Sequence, residues 1–218
     1  MLAFAKANYS TIPMKNYILL LTVVLIAISC KNQERPALEP AVPIAEIPED
    51  ADYWTLEHLA ESLKDGSYLD IYQELDMNET SMQFEEGSVR RKVMFMGEGT
   101  SNELFISFEN EAPYEIFVLK RGPWRTKGAL KVGSSIEQLN EINGVPVQFA
   151  GFEWDHSGYV ILGDGNIDAD HYSISLSPNY ADIPEDAVNE FIGDQIYDSK
   201  DPDVEKLQLY VDRIVYKF

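Results

Sequence analysis

Thr55-Leu56-Glu57-His58-Leu59-Ala60-Glu61 is echoed by Ser135-Ile136-Glu137-Gln138-Leu139-Asn140-Glu141, and this internal repeat decides how the chain is read. In each stretch a hydroxyl residue can accept the amide three places on and so cap a helix. Gln138 is placed to complete a capping box with Ser135, a role His58 fills less well for Thr55. Leu56 with Leu59, and Ile136 with Leu139, fall on one helical face. Gly66 and Gly144 stand just past the expected ends, where a left-handed residue is wanted. Each helix is two or three turns long and must lean on tertiary contacts.

Strand patterns follow both helices. Tyr68 to Leu75 alternates, as do Val89 to Met96 and Leu104 to Phe108, and Glu115 to Lys120 is a further apolar run. Gly97-Glu98-Gly99 and Asn110-Glu111-Ala112-Pro113 supply turns between them. After the second helix come Val145 to Phe149, Gly158 to Leu162, Tyr172 to Leu176, and a closing strand from Lys206 to Phe218. The parity of that last strand changes near Asp212-Arg213, which predicts a bulge. Consecutive strands joined by short turns pair antiparallel. The expected fold is α+β: two short helices, each followed by an antiparallel β-meander, as a tandem repeat over 51–125 and 126–218.

The N-terminal part reads as delivery. Lys15 precedes an apolar run from Tyr17 to Ile28, and Ser29 precedes Cys30, the single cysteine of the chain. The run is shorter than the about 20 residues that a bilayer span needs and suits the hydrophobic part of a secretory signal. Ala27-Ile28-Ser29-Cys30 resembles a lipobox, although Ala27 stands where leucine is usual. That resemblance implies residues 1–29 as a lipoprotein signal peptide, with Met14 the expected start, and a diacylglycerol on Cys30 as the new N-terminus. No other cofactor is expected. With one cysteine an exported domain has no internal disulfide, so its fold rests on packing. Residues 30–50 carry Pro36, Pro40, Pro43 and Pro48 without apolar periodicity and read as a semi-rigid, acidic tether. Lys31-Asn32-Gln33-Glu34 resembles, weakly, the surface-export signal of some Bacteroidetes lipoproteins. The third segment, 51–218, is the α+β domain.

Seventeen basic residues face 37 acidic ones, for a formal charge of −20. Lys6 and Lys15 lie before Cys30 and no acid does, so the mature part is more acidic still. Such a surface repels nucleic acid and anionic headgroups, and no nucleic-acid partner is expected.

Val132-Gly133-Ser134-Ser135 through Asn143-Gly144-Val145-Pro146, continued by Gly151-Phe152-Glu153-Trp154-Asp155-His156-Ser157-Gly158, resembles a group of uncharacterised Bacteroidetes lipoproteins. Phe191-Ile192-Gly193-Asp194-Gln195 and Asp198-Ser199 carry the same resemblance. Gly133 to Pro146 is also similar to a segment of small outer-membrane assembly lipoproteins and β-lactamase-inhibitor-like folds. The resemblance implies an envelope location and a fold, and brings no activity with it.

Gly151 to Asp155 is the best-defined local feature. One reading makes Trp154 and Asp155 ligand-binding residues, the indole stacking on a ligand ring and the carboxylate accepting hydrogen bonds. The other, preferred on sequence alone, places Trp154 with Phe152 in the core and Asp155 in a turn before Gly158. Trp54, just before the first cap, is expected to staple against its helix. The histidines, His58, His156 and His171, form no paired metal motif. There is no CxxC and no glycine-rich phosphate loop, and although Asp155, His156 and Ser157 are adjacent, they lack a nucleophile elbow. No catalytic residue is assigned. Asp164 to Asp170 alternates oxygen side chains like the start of a calcium loop, but Ala169 and Ser175 occupy the glycine and bidentate-acid places. A hairpin turn is expected there, as is an acidic loop at Asp194, Asp198, Asp201 and Asp203, and no metal. The expectation is a non-enzymatic, lipid-anchored envelope protein, on the periplasmic face or surface of the outer membrane, that binds or scaffolds an envelope protein partner. A small-ligand or glycan-binding lipoprotein using exposed aromatics is the alternative, and a hydrolase ranks last.

Overall fold

Both helices form where the repeat places them. In the computed structural model, which describes residues 51–218, α1 spans Leu56–Asp65 and α3 spans Ile136–Asn143. The expected signal peptide, Cys30 and the expected tether lie outside the described residues. Thr55 Oγ1 accepts the His58 amide at 3.3 Å. At α3 the capping box is complete, with Gln138 N–H on Ser135 Oγ and Ser135 N–H on Gln138 Oε1. Gly66 (φ 83°) and Gly144 (φ 77°) close the two helices in the left-handed region. Among the described residues no helix is long and apolar enough to cross a membrane.

One segment folds differently from its pattern. Tyr68 to Leu75 is not a strand: a single turn of helix, α2 (Tyr68–Ile71), runs into a tight turn. Its alternation is used to bury Tyr72, whose hydroxyl donates to the Tyr53 carbonyl at 2.8 Å. The Tyr72 ring packs against Tyr53 and Trp124. Trp54 is buried beside them, edge-on to Trp124 at 4.9 Å.

The strands are β1 (Met77–Phe84), β2 (Val89–Met96), β3 (Leu104–Glu109), β4 (Ala112–Val118), β5 (Gln148–Ala150), β6 (Val160–Ile161), β7 (Tyr172–Ser177), β8 (Ile196–Asp198) and β9 (Tyr210–Lys217). A six-stranded antiparallel sheet has the order β1-β2-β3-β4-β9-β7, and a three-stranded one the order β6-β5-β8. The class is α+β. A four-stranded meander follows α1 and α2, with β1 in place of the strand expected at Tyr68 to Leu75, and the strands after α3 do not restate it: β5, β6 and β8 form the small sheet while β7 and β9 extend the large one. The closing strand is shorter than its pattern, because Val204–Leu207 is a 3-10 turn. Its bulge is where the parity change puts it: Ser175 faces Arg213 and Leu176 faces Val211, leaving Asp212 unpaired.

One face of the large sheet carries Met94, Met96, Leu104, Ile106, Ile116 and Val118, which pack with Leu56, Leu59 and Leu63 of α1 into the main core. Register aligns Phe95, Phe105 and Phe117 across the other face, with Phe105 and Phe117 stacked at 4.5 Å. Arg91 is 8% exposed there. Its guanidinium pairs with Glu85 at 3.1 Å and Glu109 at 3.7 Å and lies over the Tyr114 ring. Removing the charge pairs would leave a costly buried cation.

Asn143 fixes the second half of the domain. It is fully buried. Its amide donates to the carbonyls of Val145 (3.1 Å) and Leu162 (3.0 Å) and its Oδ1 accepts the Ile167 amide at 3.3 Å. A side chain at Gly165 would meet Asn143 at 2.2 Å. The stretch Asp164 to Asp170 is therefore a turn laid against the end of α3, and Asn143-Gly144 is a structural joint.

Candidate functional site

The loop 151–158 is clamped at both ends by glycines that no other residue could replace without movement. A Cβ on Gly151 would stand 2.5 Å from the Gly193 carbonyl oxygen, and one on Gly158 2.0 Å from that of Leu176. Hydrogen bonds join Gly158 N–H to Gly151 O (3.1 Å), Phe152 N–H to Phe191 O (2.8 Å) and Gly193 N–H to Phe152 O (3.1 Å). Between the clamps the chain splits its aromatics. Phe152 is 1% exposed and packs on Phe149, whereas Trp154 is 65% exposed. The core reading thus holds for Phe152 and not for Trp154. Asp155 is exposed beside it.

Two non-glycine residues in this loop hold positive φ, Glu153 at 66° and His156 at 61°. Non-glycine residues persist in that region only where their surroundings fix them. Here the Tyr180 hydroxyl donates to Glu153 Oε1 at 2.9 Å and Ser157 Oγ accepts the Glu153 amide at 3.3 Å. The His156 ring lies against Tyr159, at 6.3 Å between centroids. Ser157 and His156 therefore serve to hold the loop, and no side-chain hydrogen bond joins Asp155, His156 and Ser157 to one another.

Tyr180 reports on this tie. Burial, and then its hydrogen bond to Glu153, push the phenol from 10.0 up to about 12. A raised folded-state pKa means the protonated phenol is favoured by the fold. Its contribution is complete below pH 10 and is lost as pH rises through about 12. We expect the difference in tyrosinate absorbance between wild type and Tyr180→Phe to appear near pH 12, together with a change in Trp154 emission. Ionisation near pH 10 with unchanged emission would show that the tie does not order the loop.

The small sheet adjoins the loop in sequence, with β5 before it and β6 after it. Phe149 pairs with Val160 and Tyr197 on the inner face. On the outer face Tyr159, Ile161 and Ile196 are exposed, and Ala150 lies between Tyr159 and Ile196. A displayed indole is what a contact surface needs, since aromatic anchors carry most binding energy at interfaces, and Tyr159, Ile161 and Ile196 are exposed as well. The sequence signalled Trp154 through its motif. It gave a strand over Gly158 to Leu162 but did not signal that Tyr159, Ile161 and Ile196 are exposed.

Concavities lie elsewhere. Three of them surround the first turn of α3 and share Glu137, with volumes of about 520, 320 and 230 Å³. A fourth, about 260 Å³, is lined by Glu57, Lys127, Asn166, Asp168 and Tyr172 among others. None of the four includes Trp154 or Asp155. Among the described residues no group of three or more His, Cys, Asp or Glu side chains is placed to hold a metal.

No protein-family model matches the chain, and no curated protein matches it. Among solved structures it is similar to the uncharacterized protein yfeY from Escherichia coli, at 12% identity and a TM-score of 0.36, over 66% of this chain and 80% of that one. A likeness that distant carries neither fold nor function across.

Proposed function

We propose that the protein is a lipid-anchored cell-envelope module, held at the outer membrane through Cys30, whose domain binds another envelope protein and catalyses no reaction. The observation that carries this reading is Trp154, 65% exposed on a loop clamped by Gly151 and Gly158. An exposed indole on a loop held by its glycines and by Tyr180 is preorganised to anchor a partner. The proposal extends to kinship with the Bacteroidetes lipoproteins that the 133–158 motif resembles. It also takes the matched caps of α1 and α3 as traces of a helix-plus-meander duplication. The anchor rests on Met14 to Cys30, and the tether sets the domain off the membrane.

Two substitutions test the two halves of the reading. Cys30→Ala is expected to move the protein from the membrane to the soluble fraction and to remove an acyl mass from the mature N-terminus. A photo-crosslinking residue in place of Asp155 is expected to trap a discrete envelope protein in cells, and the same residue in place of Glu98 to trap none. Trp154→Ala should abolish that cross-link while leaving circular dichroism and fractionation unchanged. A cross-link indifferent to Trp154→Ala, or none at Asp155, would count against the contact surface.

A further inference from the structure

Charge is spread unevenly along the domain. From Val132 to Ser199 there are thirteen Asp and Glu residues and no Lys or Arg, whereas residues 51–131 carry nine Lys and Arg beside fifteen acids. The loop 151–158 lies inside the first of these stretches, and so does every described segment hydrogen-bonded to it. Gly151 N–H donates to Gln195 O at 2.9 Å, Phe152 N–H to Phe191 O at 2.8 Å and Leu176 N–H to Gly158 O at 2.8 Å, and the Tyr180 hydroxyl donates to Glu153. The loop's own histidine, His156, lies against Tyr159. Arg213 enters the pairing nearby, opposite Ser175, and its guanidinium donates to Ser175 Oγ at 2.8 Å.

That distribution restricts what can sit on Trp154. An indole that anchors an interface is covered by the partner and closed off from water at its rim. Trp154 stands between Glu153 and Asp155 in the chain, and both are exposed. A partner that covers the ring therefore also takes water from these carboxylates. Carboxylates that lose water without a counter-charge are costly, and the segments bonded to the loop bring no Lys or Arg to supply one. An apolar patch or a neutral sugar on Trp154 would strand that charge. A guanidinium or ammonium group answers it twice, by pairing with the carboxylates and by lying over the indole, the best of the aromatic faces for a cation. Opposite sign also guides the encounter. We infer, resting on the contact-surface reading above, that the partner of the 151–158 loop is a protein presenting a Lys- and Arg-rich segment, with one of its cations on the Trp154 ring.

The test uses membranes from cells making the full-length protein with a photo-crosslinking residue in place of Asp155, which leaves the Glu153 carboxylate where it is. The trapped segment, identified by mass spectrometry of the cross-linked peptide, is expected to be rich in Lys and Arg. Raising potassium chloride from about 0.05 M to about 0.5 M should lower the cross-link yield several-fold, because exposed charges then act over a shorter distance. Sucrose of equal osmolality should leave the yield unchanged. Glu153→Gln keeps an acceptor for the Tyr180 hydroxyl and removes only charge, and it should lower the yield several-fold at low salt. Glu111→Gln, in the turn between β3 and β4, should not. A cross-link that needs Trp154 yet ignores salt or Glu153→Gln overturns the inference and leaves the contact surface standing. So does a trapped saccharide, or a trapped segment without Lys or Arg. No cross-link at Asp155 removes the surface and the inference together.

Discussion

Gly158→Ala is expected to destabilise the domain by about 3 kcal/mol or more and to release the loop that displays Trp154. Two costs add. The residue sits at φ +66°, and its new Cβ would stand 2.0 Å from Leu176 O and 3.0 Å from Leu176 C, both backbone atoms that cannot swing aside. Moving them breaks the Leu176 N–H to Gly158 O hydrogen bond of 2.8 Å, which joins the loop to β7. Gly163→Ala separates the costs, because Gly163 has φ +61° but nothing within 4 Å of the added Cβ. It should lose only about 1 kcal/mol. At this domain size that difference corresponds to a melting temperature lower by about 4–8 °C for Gly158→Ala than for Gly163→Ala. Equal melting temperatures would show that the contact with Leu176 is not rigid.

Asn143→Ala should cost about 3–5 kcal/mol. Truncation strips partners from three buried backbone groups, the carbonyls of Val145 and Leu162 and the amide of Ile167, and each orphan costs about 1–3 kcal/mol before relaxation. Asn143→Asp keeps the acceptor for Ile167 but loses both donors and points a carboxylate at two carbonyl oxygens. It should be at least as damaging at neutral pH, and recover partly in acid as the carboxyl regains a proton. Asn166→Ala, which removes only an exposed 3.4 Å bond to Ile142 O, is expected within about 0.5 kcal/mol of wild type. Denaturant unfolding midpoints compare all three. An Asn143→Ala variant as stable as Asn166→Ala would remove the joint from the account of the fold.

The difference between what could and could not be read beforehand has physical roots. Helix ends were legible because capping is local: Thr55, Ser135 and Gln138 act within three residues, and Gly66 and Gly144 answer a backbone need at their own positions. The bulge at Asp212 was legible because one extra residue reverses the inward parity of everything after it. β1 was not, since as the outer strand of its sheet it buries little and Asn78 to Ser81 are all polar. Tyr68 to Leu75 misled because Tyr72 is fixed by distant partners, Tyr53 and Trp124, that periodicity cannot see. At the loop, the glycines and Phe152 follow from close approach and packing. The outward turn of Trp154 depends on Tyr180, twenty-six residues further on.

The place of β9 has a consequence for how the molecule comes to exist. Tyr210–Lys217 lies between β4 and β7, so all other strands of that sheet leave the ribosome before the strand that unites them. Until it arrives, the 77–118 meander and β7 have no common ladder, and their pairing must wait on contacts nearly a hundred residues apart in sequence. Such long-range closure is slow. Until synthesis reaches Tyr210 the large sheet stays open, a delay that suits the export proposed above.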